Sequence, residues 1–274
     1  MSESPSSGAT KPAVTTGVRP WLRLLVAIAR KQFTLIIRYP INTVSQVFGL
    51  YVFFALIFFG GRAVGGAAFG ESLNAIIVGF FLFTMTIVAY SGLAWDVTRE
   101  AQWGTLEQLF MSPFGFGRVM AAKAAVNVCF SLLWGAVILA SMLVTTGRSL
   151  SVDLLTVVPV GVLTIASALG VGFVFAGLAL VYKRIENLFQ LIQFAFVALI
   201  AAPVEAVPAV RFLPLALGSA LLREAMTQGT ALWQFPATDL AVLGATAVGY
   251  LAVGAYVFGV ASRRARRLGV LGQY

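Results

Sequence analysis

The residues of this sequence that could do chemistry are concentrated in one polar segment, 96–123, between two long apolar runs. Its glutamates Glu100 and Glu107 are seven residues apart, about two helical turns, so a single helix would place both on one face. Gly104 and Met111 fall on the same face. Exposed carboxylates make charge-assisted contacts with Arg or Lys of a partner. The spacing therefore predicts a docking helix.

Two other interpretations of this segment stay open. Trp103, Leu106 and Phe110 share an apolar face, which could rest on a lipid bilayer or hold the helix against a membrane bundle. The glutamates could also pair within the chain. Their candidate partners are Arg99, Arg118 and Lys123.

Composition removes whole classes of chemistry. One cysteine and no histidine exclude an internal disulfide, a Cys/His zinc site and a histidine base. The sequence has no Gly-rich phosphate loop ending in Gly-Lys-Ser/Thr. We expect no catalytic, cofactor-binding or metal-binding residue in this chain, which is not an enzyme. ATP-driven work would need ATP and Mg²⁺ on a separate subunit.

The elements that must position segment 96–123 are membrane helices. Of the 274 residues, 59% are hydrophobic and only 11% are charged, which is too little charge for a water-facing surface. The apolar runs are long enough to cross a bilayer, at about 20 residues each. They predict an all-α membrane protein with six spans. Their expected bounds are 41–60, 74–94, 124–145, 156–182, 188–207 and 239–261.

The remaining segments differ in composition. Residues 1–18 are rich in Ser, Thr, Gly, Pro and Ala and predict a disordered tail. Residues 19–39 predict an amphipathic interfacial helix that ends before Pro40. A six-helix transmembrane domain, 40–262, and a basic tail, 263–274, follow. The cations on one side of the interfacial helix are Arg19, Arg23, Arg30, Lys31 and Arg38.

Charge distribution predicts the orientation. All but four of the 19 Lys and Arg fall on the side of the expected membrane that holds both termini. The four exceptions are Arg62, Arg148, Arg211 and Arg223. By the positive-inside rule this is a multi-pass cell-membrane protein with cytoplasmic termini. A net charge of +9 would suggest nucleic acid in a soluble protein, but in a membrane protein the location of the charge matters more than its sum. We therefore expect membrane lipids as partners and no nucleic acid.

The expected spans carry essentially no charge in mid-membrane, which disfavours an ion-coupled carrier or an intramembrane protease. Two polar stripes remain, and they could serve helix packing or form the wall of a partly wet conduit. The first comprises Asn42, Ser45, Gln46 and Gly49, and the second comprises Glu186, Gln190 and Gln193.

The segment 203–239 is expected to fold back against the outer membrane edge. Its run 212–226 is mostly apolar but too short to span. Arg223 and Glu224 would then face the outer water or cap the exit of a conduit.

Segment 96–123 resembles the signature of ABC-2 type transporter permeases, the membrane subunits of ATP-binding cassette exporters. The residues that carry the resemblance are Glu100, then Gly104, Thr105, Leu106, Glu107, Gln108 and Leu109, then Ser112 and Pro113. A second stretch is similar to the outer loop of that family. It comprises Leu213, Pro214 and Leu215, followed by Ala220, Leu221, Leu222 and Arg223. Residues 101–103 carry less charge than in many members.

The resemblance, which covers about residues 19–267, implies a mechanism. Two permease subunits would pair, as a homodimer or heterodimer, above two cytoplasmic ABC ATPase subunits. Export of a drug, lipid or glycan-linked substrate is implied, and Pro214 and Arg223 would belong to the outer re-entrant segment. The ATPase-coupling residues would be Glu100, Gly104, Thr105, Glu107, Gln108, Met111, Ser112 and Pro113.

Two alternative functions remain. One is a non-transport membrane scaffold or assembly factor that docks a cytoplasmic partner through the same segment. The other is a channel or ion-coupled carrier, which the uncharged spans disfavour.

Overall fold

The computed structural model describes residues 18–65, 70–103, 105–182 and 186–267. These residues are mostly helical and contain no β-strand, as expected for an all-α membrane protein. The expected disordered tail, apart from Val18, and residues 268–274 of the basic tail lie outside the described ranges. The helices are α1 (Val18–Arg38), α2 (Pro40–Gly65), α3 (Gly70–Gln102), α4 (Leu106–Phe110), α5 (Phe116–Thr146), α6 (Leu154–Val181), α7 (Glu186–Ile200), α8 (Ala216–Gln228) and α9 (Ala237–Arg267). Short 3₁₀ turns occur at Pro208–Phe212 and Leu232–Gln234.

Five of the described helices are long and apolar enough to cross a membrane, namely α2, α3, α5, α6 and α9. The remaining expected span, 188–207, is shorter than predicted, because α7 ends at Ile200 after 15 residues. Pro203 follows three positions later, where a proline often marks a helix end. Such a helix reaches roughly 22 Å, which is less than the ~30 Å thickness of a hydrocarbon core.

The short α7 nevertheless runs along much of α3, in the opposite direction. Near its start, the ring of Phe189 lies 5.8 Å from that of Trp95. At its end, Ile200 packs over Gly79. The chain therefore returns along the bundle through α7, which allows α6 and α9 to run parallel to each other.

The centre of the bundle is formed by α3 and α6. In the most apolar 18-residue stretch of each helix, 67% of the residues of α3 and 61% of those of α6 are buried. The corresponding share for α2 is 11%. Phe48 and Leu56 of α2 are among the large apolar side chains left exposed. A helix that is mostly apolar and mostly exposed fits contact with lipid or with another membrane subunit.

The backbones of α6 and α9 touch where two glycines meet. A Cβ added to Gly170 would lie 2.2 Å from the carbonyl oxygen of Tyr250, and one added to Gly254 would lie 2.1 Å from the carbonyl oxygen of Gly170. Membrane helices associate by this kind of close approach through small residues.

The two ends of the bundle differ chemically. At one end, which we call the basic end, α1 and the C-termini of α3 and α9 meet α4 and the start of α5. At the opposite end, Ser151 donates its N–H to the carbonyl oxygen of Met226 at 2.9 Å. Arg211 and Asp239 form an ion pair of 3.4 Å at the start of α9.

The expected outer segment is folded onto the bundle, where α8 packs against α6 and α3. Pro214 is buried just before it, and the N-cap residue Leu215 has a φ of 69°, which is rare for a residue with a side chain. The N–H of Leu215 donates to Ser167 Oγ at 3.2 Å. Arg223 is half-buried, and its Nη2 donates to the carbonyl oxygen of Ile200 at 3.3 Å. This side chain therefore caps α7, whereas the sequence suggested that it faces the outer water or caps the exit of a conduit.

Candidate functional site

Glu100 occupies the last turn of α3 and is 8% exposed. Its Oε1 accepts from Lys31 Nζ of α1 at 3.2 Å and from Lys123 Nζ of α5 at 3.1 Å. Its Oε2 accepts a short hydrogen bond from the hydroxyl of Thr105. One carboxylate thus joins α1, α3 and α5 to the chain that leads into α4.

Lys123 is the buried cation of this group, with its side chain 6% exposed. A second carboxylate, Asp96 of α3, lies 3.8 Å from its Nζ, and Asp96 also pairs with Arg99 at 2.9 Å. Buried charges are stable only when they are paired and hydrogen-bonded. We call Lys31, Asp96, Glu100, Thr105 and Lys123 the anchor network.

The position of Glu100 corrects the expectation of one continuous docking helix. The helix α3 ends at Gln102, and α4 begins only at Leu106. Between them, the N–H of Thr105 donates to the carbonyl oxygen of Glu100 at 3.0 Å and closes a turn. Glu100 and Glu107 therefore lie on different helices, and Glu100 follows the alternative of pairing within the chain.

The short helix α4 is held on the bundle by its apolar side. Leu106 is 1% exposed, and the ring of Phe110 stacks on that of Phe116 with centroids 3.9 Å apart. Phe116 in turn stacks on Phe258 of α9 at 5.4 Å. The guanidinium of Arg266 lies 5.6 Å from the centroid of the Phe110 ring, within the range of a cation–π contact.

The other side of this connection is exposed. We call Trp103, Glu107, Gln108, Met111 and Pro113 the α4 face, because all five side chains are accessible. Met111 is 76% exposed and Trp103 66%. The sequence placed Trp103 on one apolar face with Leu106 and Phe110, a face that could rest on the bilayer or on the bundle. The structure separates Trp103 from these two residues and leaves it exposed, because α3 has ended and the chain has turned.

Ser112 and Pro113 form the turn that leads into α5. The N–H of Gly115 donates to the carbonyl oxygen of Ser112 at 2.9 Å, and that of Phe114 donates to Ser112 Oγ at 3.4 Å. Gly115 has a φ of +77°, a conformation that favours glycine. Gly104 lies outside the residues that the structure describes.

The two polar stripes lie on separate helices. Asn42 and Gln46 are exposed on α2, and on α7 Gln190 is exposed and Gln193 half-buried. The side chain of Glu186 lies outside the described part of the chain. The main neighbours of α2 are α1, α3 and α5, whereas those of α7 are α3 and α8. Among the described residues of one chain, the stripes therefore do not form a shared wall, and their role as a conduit stays a prediction.

Sequence reasoning missed the anchor role of Lys31 and Asp96. One signal was present, since Lys123 stands between alanines at 121, 122, 124 and 125 at the start of an apolar run. A cation in such a setting needs a nearby carboxylate. Which acid supplies it depends on how α3 and α5 pack.

Comparison with known proteins leaves the resemblance to ABC-2 permeases as a hypothesis. No protein-family model matches this chain, and no curated protein matches it. Across the described ranges, no group of three or more His, Cys, Asp or Glu side chains forms a candidate metal site.

Proposed function

We propose that this chain is the membrane subunit of an ATP-binding cassette exporter and that a separate ATPase docks on its α4 face. The observation that carries the proposal is the two-sidedness of α4. Leu106 and Phe110 fix it to the bundle, while Glu107, Gln108 and Met111 stand exposed. A short helix held in this way can transmit a movement of the docked partner to α3, α5 and α9.

The anchor network supports this role. Thr105, at the start of the chain that leads into α4, is hydrogen-bonded to Glu100, and Glu100 pairs with Lys31 and Lys123. Movement of α4 would therefore displace α1, α3 and α5 as well. Of the two glutamates in the signature, Glu107 would contact the ATPase, and Glu100 would transmit the movement of α4 to the bundle. An exposed Glu107 is complementary to a partner surface with Arg or Lys.

The absence of a phosphate-binding loop from the sequence supports a division of labour. ATP and Mg²⁺ would bind the partner, and this chain would bind neither. The basic end would face the cytoplasm under the positive-inside rule, on the side where a cytoplasmic ATPase can reach it. The protein would then reside in the cell membrane with both termini cytoplasmic.

A second permease subunit would cover the polar stripe of α2. Asn42, Ser45 and Gln46 are exposed on a helix that is mostly apolar, and Gly49 has open space around it. Amide and hydroxyl groups are costly against lipid tails but join membrane helices well. Pairing of two copies, or of this chain with a related one, would bury them. A conduit between the two subunits would suit a hydrophobic or amphipathic substrate such as a drug, a lipid or a glycan-linked lipid.

Co-purification tests the proposal directly. The tagged chain would be solubilised from its native membranes in mild detergent, and its partners identified by mass spectrometry and by ATP hydrolysis. We expect an ATPase subunit with a Gly-rich phosphate loop. The double variant Glu107→Lys/Met111→Glu should lower its recovery by roughly tenfold or more, the size expected for lost charge-assisted and apolar contacts.

Glu205→Lys is the matched control, because Glu205 is an exposed glutamate at the opposite end of the bundle. This variant should recover the ATPase like the unmodified chain. Equal recovery with the α4-face variant would refute docking at this face. A complex that forms through α4 with a protein lacking ATPase activity would instead support the scaffold function.

A further inference from the structure

One side of α1 forms a shallow groove, lined by residues of α1 and by Tyr39, which directly follows it. Four cations, Arg23, Arg30, Lys31 and Arg38, line it. We propose that this groove, with the apolar strip beside it, binds anionic phospholipid and that Lys31 connects the bound headgroup to the anchor network. The inference does not depend on the proposed exporter function.

Charge is the first argument. The helix α1 contains no Asp or Glu. Lys31 pairs with Glu100, but Arg23, Arg30 and Arg38 pair with no carboxylate of the described residues. Three guanidinium groups on one side of one helix form a favourable site for an anion. Phosphate oxygens fit such a site well, because they match the planar donors of arginine.

Apolar exposure on the same helix identifies the anion as a lipid. Leu22, Val26, Phe33 and Ile37 are 53%, 64%, 56% and 64% exposed and form a strip beside the cations. A free phosphate ion or a nucleic-acid backbone would use the cations and leave this strip in water. A phospholipid satisfies both, since its headgroup meets the arginines and its acyl chains cover the apolar strip.

Lys31 belongs to both the groove and the anchor network. Its Nζ lies 3.2 Å from Glu100, while its side chain remains 55% exposed. A phosphate bound in the groove would lie beside this ion pair. A phospholipid bound in the groove would therefore act on Lys31, the residue that pairs with Glu100 and joins α1 to α3 and α5.

Competition between lipids, measured on the intact purified chain, tests the site. The detergent-solubilised protein would be mixed with equal amounts of phosphatidylglycerol and phosphatidylcholine, and bound lipids counted by native mass spectrometry. The unmodified chain should prefer phosphatidylglycerol. Arg23→Gln/Arg30→Gln/Arg38→Gln should reduce that preference roughly tenfold or more, since each cation strengthens anionic-lipid binding.

Two control variants separate charge at this site from folding and from general basicity. Arg23→Lys/Arg30→Lys/Arg38→Lys keeps the charge and should keep most of the preference. Arg263→Gln/Arg264→Gln/Arg267→Gln removes three exposed cations from the end of α9 and should leave the preference unchanged. An equal loss in both Gln variants would overturn the proposal. So would displacement of phosphatidylglycerol by inorganic phosphate or a short DNA duplex at the same concentration.

Discussion

Glu100 and Lys123 form a buried ion pair of 3.1 Å between the end of α3 and the start of α5. Of the 22 residues between them, those that the structure describes form the remainder of α3, the turn at Thr105, α4 and the entry to α5. The pair therefore holds together the two ends of the segment that contains α4 and its exposed face. Lys31 adds α1 to the same carboxylate.

Removal of the Glu100 charge should destabilise the fold. In Glu100→Gln, Lys123 stays buried and Asp96, at 3.8 Å, is the one carboxylate left beside it. The free energy of unfolding should therefore fall by about 2 to 3 kcal/mol. Thermal unfolding of the detergent-solubilised protein should then begin roughly 5 to 10 °C lower. Glu107→Gln, at an exposed position, is the matched control and should shift the midpoint by about 1 °C or less. Equal midpoints for the two variants would contradict the structural role of Glu100.

Charge reversal should separate the two glutamates still further. Glu100→Lys would set three cations together at the basic end, so the protein should accumulate poorly in the membrane. Glu107→Lys should accumulate at the normal level and lose only its partner. Quantitative blots of membrane fractions would measure both. Normal abundance of Glu100→Lys would show that the anchor network is dispensable.

The crossing of α6 and α9 should not tolerate a single methyl group. Gly254→Ala would place its Cβ 2.1 Å from the carbonyl oxygen of Gly170, so the two helices must separate. We expect a loss of about 3 kcal/mol and aggregation on size-exclusion chromatography. Gly249→Ala, on the same helix with open space around it, should elute like the unmodified protein. Normal elution of Gly254→Ala would mean that this contact is looser than described.

Accessibility along the outer segment should follow the packing of α8. Single cysteines would be introduced after replacement of Cys129, which is exposed and would itself react. A water-soluble maleimide should label positions 212 and 227, which are exposed, and spare positions 219, 222 and 226, which are buried. Uniform labelling would indicate an ordinary solvated loop in place of a packed helix.

Reporter fusions should reveal the path of the chain at the opposite end. Ser151 contacts Met226, so fusions after Gly147 and after Gln228 must report the same side of the membrane. Under the positive-inside rule both should read as external. A cytoplasmic signal from the second fusion alone would mean that α7 does not carry the chain across.

Sequence alone determined the class of the protein, because the length and polarity of the apolar runs leave few alternatives to membrane helices. Pro40 also set the boundary between α1 and α2, since proline is favoured at the first helical position. Segment 96–123 was predicted to contact a partner, which stays a prediction, and the structure shows that Glu107 and Met111 are exposed there.

Tertiary structure decided which polar residues face inward. Periodicity places Glu100 and Glu107 on one face only if the helix is continuous, and the turn at Thr105 breaks it. The partners of Glu100 come from α1 and α5, which lie 69 and 23 residues away in sequence. Long-range pairing of this kind depends on how helices pack, for instance through Gly170 and Gly254, and an apolar pattern that looks alike in every span does not encode it.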